Sequence, residues 1–125
     1  MDIELDWNRY YPFNSHFTHI AILTGLDIEE IEKVSPKKDC WGGQSFVNVF
    51  RELGFNCNNR WVKFDPNTDL PCLIRFKSNV IKEPYWYLHV YYKNIVYMGN
   101  SRLPFDQWIE NNSNYRITSM LQVWI

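Results

Sequence analysis

Apolar and small positions recur with a helical period at the start of the chain. Phe17, Ile20, Ala21 and Thr24 fall at i, i+3, i+4 and i+7, and Gly25 follows as a natural stop. The spacing predicts a first helix opening near Ser15. Asp27 followed by Glu30 is a capping pattern, and it predicts a short second helix over Ile28–Val34 with Ile28 and Ile31 inward. Ser35-Pro36-Lys37-Lys38-Asp39 reads as a loop. Gly42-Gly43 then precedes a third helix, with Phe46, Val49, Phe50 and Leu53 at helical spacing and Gly54 closing it.

After Gly54 the period changes to two. Trp61-Val62-Lys63-Phe64 predicts a strand and Asp65-Pro66-Asn67 a turn. Leu73-Ile74-Arg75-Phe76 predicts a strand that Pro71 can begin but not occupy. Tyr85–Tyr92 and Ile95–Met98 are two aromatic, apolar runs separated by Lys93-Asn94, the pattern of a tight hairpin. Pro104 can open a short helix over Phe105–Glu110. Tyr115–Trp124 closes the chain as a strand, with Tyr115, Ile117, Ser119, Leu121 and Val123 on one face. Residues 1–14 are aromatic and polar without period, an extended lead-in. Helices first and strands second predict an α+β fold, with N-terminal helices packed on one antiparallel sheet. Neither repeat nor linker divides the 125 residues, so a single domain over 1–125 is expected.

Composition narrows the function classes. Apolar residues are 46% and charged residues 22%, enough for a packed core. Thirteen basic against fourteen acidic residues give a net charge of -1, which argues against nucleic acid as the principal partner. No stretch approaches the ~20 apolar residues of a membrane span. The opening Met-Asp-Ile-Glu-Leu-Asp is acidic where a secretory signal would be basic. Three cysteines, Cys40, Cys57 and Cys72, make neither a disulfide framework nor a paired metal motif. A cytoplasmic protein with reduced thiols is expected.

Chemistry-bearing residues are few. His16 and His19 are three apart on the first helix, a spacing that can begin a metal site. No carboxylate or thiol stands at ligand spacing beside them, so no metal or other cofactor is expected. His89 sits mid-strand among Tyr85, Trp86, Tyr87, Tyr91 and Tyr92; it reads either as a core imidazole or as a general base in a dry cleft. Cys40 stands just ahead of the third helix, where amides and the helix dipole favour a thiolate. Cys57 and Cys72 read as small apolar fillers.

The order of short motifs resembles the papain-like cysteine peptidases, in the branch of bacteriocin-leader-processing peptidases and their small bacterial and phage relatives. Leu23-Thr24-Gly25 closes the first helix, and Asp27-Ile28-Glu29-Glu30-Ile31 is the short acidic helix. Gly42-Gly43-Gln44-Ser45, Glu52-Leu53-Gly54 and Leu70-Pro71-Cys72-Leu73 follow in the family's order. Tyr87-Leu88-His89-Val90-Tyr91 supplies an aromatic-flanked histidine in a hairpin. The resemblance spans about residues 13–100 and implies a papain-like fold. Counting back from Leu23-Thr24-Gly25, the family's cysteine falls on Ser15 and its glycine on His16. His89 matches the base. Asn100 lies where the orienting residue falls, and Met98 matches equally well by local pattern.

A hydroxyl in place of a thiol changes the chemistry. A cysteine becomes a thiolate beside an imidazolium, whereas serine must lose its proton during attack. The resemblance therefore implies a catalytically degenerate peptidase domain that binds a protein or peptide. A second expectation is an active cysteine hydrolase using Cys40 with His89. Asp39-Cys40 ahead of a helix also resembles NlpC-type cell-wall peptidases, with Trp41-Gly42-Gly43-Gln44 replacing their compact Ser-Gly. A third is a small interaction protein, of the immunity or host-takeover kind. The sequence is silent on oligomeric state.

Overall fold

The first helix, α1 (Ser15–Thr24), is buried along most of its length rather than along one stripe. Thr18, His19, Ile20, Ala21, Ile22 and Leu23 are all withdrawn from solvent. The one-face pattern of Phe17, Ile20, Ala21 and Thr24 captures only part of this, because α1 is enclosed by α2 (Ile28–Val34), by α3 (Gly43–Glu52) and by the sheet. A helix that is apolar on several sides is one that lies inside. The structure, a computed structural model, describes residues 5, 15–36, 41–82, 86–99 and 101–125, with the backbone alone at Ser15.

Six strands form one antiparallel sheet among the described residues: β1 (Asn56–Cys57), β2 (Cys72–Ser78), β3 (Tyr87–Tyr92), β4 (Ile95–Tyr97), β5 (Arg102–Pro104) and β6 (Tyr115–Trp124). Their order across the sheet is β1-β6-β2-β3-β4-β5. A fourth helix, α4 (Phe105–Asn111), lies between β5 and β6 in sequence. The fold is α+β, as the switch from helical to alternating period predicts. Ile20, Ile31, Phe50, Leu73, Val90 and Leu121 join α1, α2 and α3 to one face of the sheet. Ile74, Phe76, Tyr91, Val96 and Met120 pack with Trp108 of α4 on the other. At ~25 cal/mol per Å² of buried apolar surface, these two layers are the main stabilising term.

The β3–β4 turn has Lys93 at φ 47° and Asn94 at φ 63°. Two consecutive positive φ values make the mirror-image turn whose twist suits a two-residue hairpin, and Asn tolerates that conformation well. Tyr85, expected as the start of this strand, lies outside the described residues.

Two expectations are corrected. Trp61–Phe64 is not a strand; a single bridge, Val62 with Met120, carries the pairing. The Trp61 indole donates instead to the Gly43 carbonyl at 3.0 Å, tying this segment to α3. In β6 the strict alternation breaks. Arg75 pairs Ser119 while Phe76 pairs Ile117, so Thr118 is the extra residue of a bulge. Tyr115 and Ile117 consequently pack with Trp108, while Leu121 and Val123 pack with the helices opposite.

Candidate functional site

Ser15 is the first residue of α1, and His19 follows one turn later. His19 is 5% exposed, and its ring meets that of His89 edge-on at a centroid distance of 6.1 Å. Both imidazoles belong to the junction of α1 with β3.

The strand register explains this approach. Among the described residues β4 pairs with Val90, Tyr91 and Tyr92, so its register stops short of His89. The backbone at Leu88 in that stretch favours a charged His19, against the larger effect of burial.

On its own strand His89 alternates with Leu88 and Val90 and faces the α4 side. Its ring lies 4.8 Å from Phe76 and 6.1 Å from Trp108. Burial in this aromatic setting pushes its pKa down to about 4, with the backbone at Leu88 acting the other way. Burial also pushes His19 down to about 3, reinforced by the neighbouring His89 and then His16. His16, over which Trp41 lies at 5.3 Å and Phe46 at 5.2 Å, is lowered by burial as well. Taking an imidazolium out of water is the dominant cost in all three cases. The cluster is therefore neutral at neutral pH.

Neutrality sets the chemistry. Among the described residues, Nδ1 of His16, of His19 and of His89 is buried without a hydrogen-bond partner. A general base works best with a pKa near the operating pH and an orienting partner on its second nitrogen. His89, with a pKa near 4, is a feeble base toward a hydroxyl. No three His, Cys, Asp or Glu side chains among the described residues converge as a metal site.

Of the residues singled out from sequence, the structure brings His89 to α1 and leaves His16 one turn nearer Trp41. Cys40 and Asn100 lie outside the described residues. Cys57 and Cys72 are free and buried, and burial raises both thiols, Cys72 to about 12. They are inert fillers.

Sequence reasoning missed the partnership of His19 with His89. The signal was present: His19 stands four residues after Ser15, one helical turn along. It also missed a cation–aromatic chain beside the helices. Arg75 lies over Trp61 at 4.2 Å and over Trp86 at 4.8 Å, and Lys77 lies over Trp86 at 4.2 Å. Arg75 and Lys77 alternate along β2 with the buried Ile74 and Phe76, so they emerge on the helix-bearing face.

No described helix is long and apolar enough to cross a membrane. The chain matches no known family model and no curated protein.

Proposed function

We propose that the chain is a papain-like peptidase domain in which Ser15 occupies the nucleophile position and the cleft serves as a protein- or peptide-binding module. The observation that carries this reading is the meeting of α1 with the histidine strand. His19, one turn along from Ser15, contacts His89 at 6.1 Å. That is the helix-to-hairpin relation the motif order implies. Two features favour binding over hydrolysis: position 15 offers a hydroxyl, and His89 is held neutral by burial with Nδ1 unpartnered among the described residues. A serine nucleophile needs a stronger, oriented base than this.

One observation favours the cysteine-hydrolase reading. Trp41, the residue after Cys40, lays its ring on His16 at 5.3 Å and on Phe17 at 5.8 Å, at the leading turn of α1. A single assay separates the two. Purified protein incubated with fluorogenic peptide and isopeptide substrates is expected to hydrolyse them no faster than buffer does. Turnover abolished by Ser15→Ala overturns the binding-module reading in favour of a serine hydrolase. Turnover that survives Ser15→Ala but is lost with Cys40→Ala assigns the reaction to the thiol instead.

A further inference from the structure

The cation–aromatic chain does not stop at Arg75. His16 contacts Trp41 at 5.3 Å, Trp41 contacts Phe46 at 5.0 Å, and Phe46 contacts Trp61 at 6.0 Å. Trp61 carries Arg75, and Trp86 carries both Arg75 and Lys77. The ring contacts pass beneath the surface at Phe46, which is 3% exposed, and emerge at the half-buried Trp61 and the exposed Trp86, toward the end of the sheet where β2 finishes and β3 and β6 begin.

That end is cationic. Lys77 of β2 sits directly opposite Arg116 of β6 in the strand register, and like charges in that relation repel. Both line a cleft with Lys82, and none of the described residues lining it is acidic. Arg75 is partly withdrawn from water, which lowers its pKa. Its guanidinium is held by two indoles and by Ser119 Oγ, to which Nε donates at 2.8 Å. The fit at Gly43 is equally tight, since a Cβ there would meet the Trp61 indole at 3.1 Å and Arg75 Nη1 at 3.2 Å. Four cations are thus gathered, in part against their mutual repulsion, on a chain whose net charge is -1.

We propose that the accessible part of this strip, from Trp61 past Trp86 to the Lys77–Arg116 cleft, is the binding track of an acidic polypeptide segment. The inference rests on the binding-module reading and adds the charge class of the partner. Charge complementarity selects an anionic occupant. The indole of Trp86 already carries two cations, which favours carboxylates over stacked bases. Val80 and Ile81, 73% and 61% exposed beside the same cleft, offer aliphatic contacts to the residues between the carboxylates. Acidic and aliphatic residues in one extended segment meet both demands.

Fluorescence anisotropy tests this with a labelled dodecapeptide repeating Glu-Leu-Ser and its Gln-Leu-Ser twin. The acidic peptide is expected to bind at least about fivefold tighter than the neutral one and to weaken with added salt. Lys77→Glu is expected to lower its affinity by about tenfold or more. The same change sets Glu opposite Arg116, so the melting temperature should not fall. That separates lost recognition from lost folding. Equal binding of the twins overturns the charge inference alone and leaves the binding module standing. Binding of neither peptide overturns both. A thymidine dodecamer, or phosphatidylserine-containing vesicles, bound more tightly than the acidic peptide would show that the strip serves a nucleic acid or a lipid surface, and the inference would be wrong.

Discussion

Trp108→Ala is expected to destabilise the protein by about 3–5 kcal/mol, the usual cost of deleting a large buried ring. Trp108 is 1% exposed, and its indole meets Phe76 edge-on at 5.2 Å and His89 at 6.1 Å. It belongs to a seven-residue helix, too short to persist on its own in water. Docking of this ring is therefore what holds α4 on the sheet. The neighbouring Ile109 is 45% exposed, and truncating it should cost much less, within about 1 kcal/mol. Thermal or chemical unfolding of the two variants measures the contrast. Equal losses would mean that α4 is not anchored through Trp108. The same truncation opens the wall behind His89, so its imidazole should titrate closer to its ordinary range, a change visible in the proton resonances of the ring.

The second large effect is acid destabilisation above the carboxylate range. His19 and His89 are held at about 3 and about 4 in the folded state, against 6.5 as the ordinary value. Folded pKa values below the unfolded ones mean that the unfolded chain binds more protons as pH falls through 6.5. Stability must then rise with pH and be lost as the solution is acidified from there toward the folded values. Between about pH 7 and pH 5 each of the two imidazoles should remove about 2 kcal/mol. Ordinary carboxylates, with reference values near 4, are still ionised over most of that window and contribute little. Denaturant unfolding at a series of pH values tests the expectation. The His19→Gln, His89→Gln double variant should show a much flatter profile. A wild-type profile already flat over this range would mean that the imidazoles are hydrated, and the dry-cluster description would fail.

Much of the architecture was legible because the local signals and the packing agree. Lys93-Asn94 between two aromatic runs dictates a hairpin, and Pro104 does precede α4. The short edges were not legible, since β1 has two residues and β5 three, too few for any period to register. Trp61–Phe64 has strand composition, yet the indole of Trp61 is better satisfied by the Gly43 carbonyl than by a place in a ladder. The bulge at Thr118 is a tertiary event. It is set by how β2 pairs β6, and a strict alternation from Tyr115 to Val123 cannot reveal it.

The site was legible in the same uneven way. His89 stands out because a titratable residue among rings is unusual in a strand. Its partner does not, because His19 occupies an ordinary helical position and gains meaning only when α1 packs against β3. Arg75 and Lys77 look like the solvated face of a strand, and only the approach of Trp61 and Trp86 turns them into a strip.

The proposed binding module requires position 15 and His89 to share one cleft, with a hydroxyl where a papain-like enzyme carries its thiol. The most direct test installs the thiol. With Cys40 replaced by Ser, the Ser15→Cys variant is alkylated with iodoacetamide at about pH 6, where an ordinary thiol of pKa ~8.5 is less than about 1% ionised. Alkylation is expected to be at least about tenfold faster than in the same variant carrying His89→Gln, because a thiolate formed beside His89 raises the imidazole's proton affinity and the two share the proton as an ion pair, which a hydroxyl of far higher pKa does not do. A rate equal to that of a free thiol, unchanged when His89 is removed, would contradict the shared cleft.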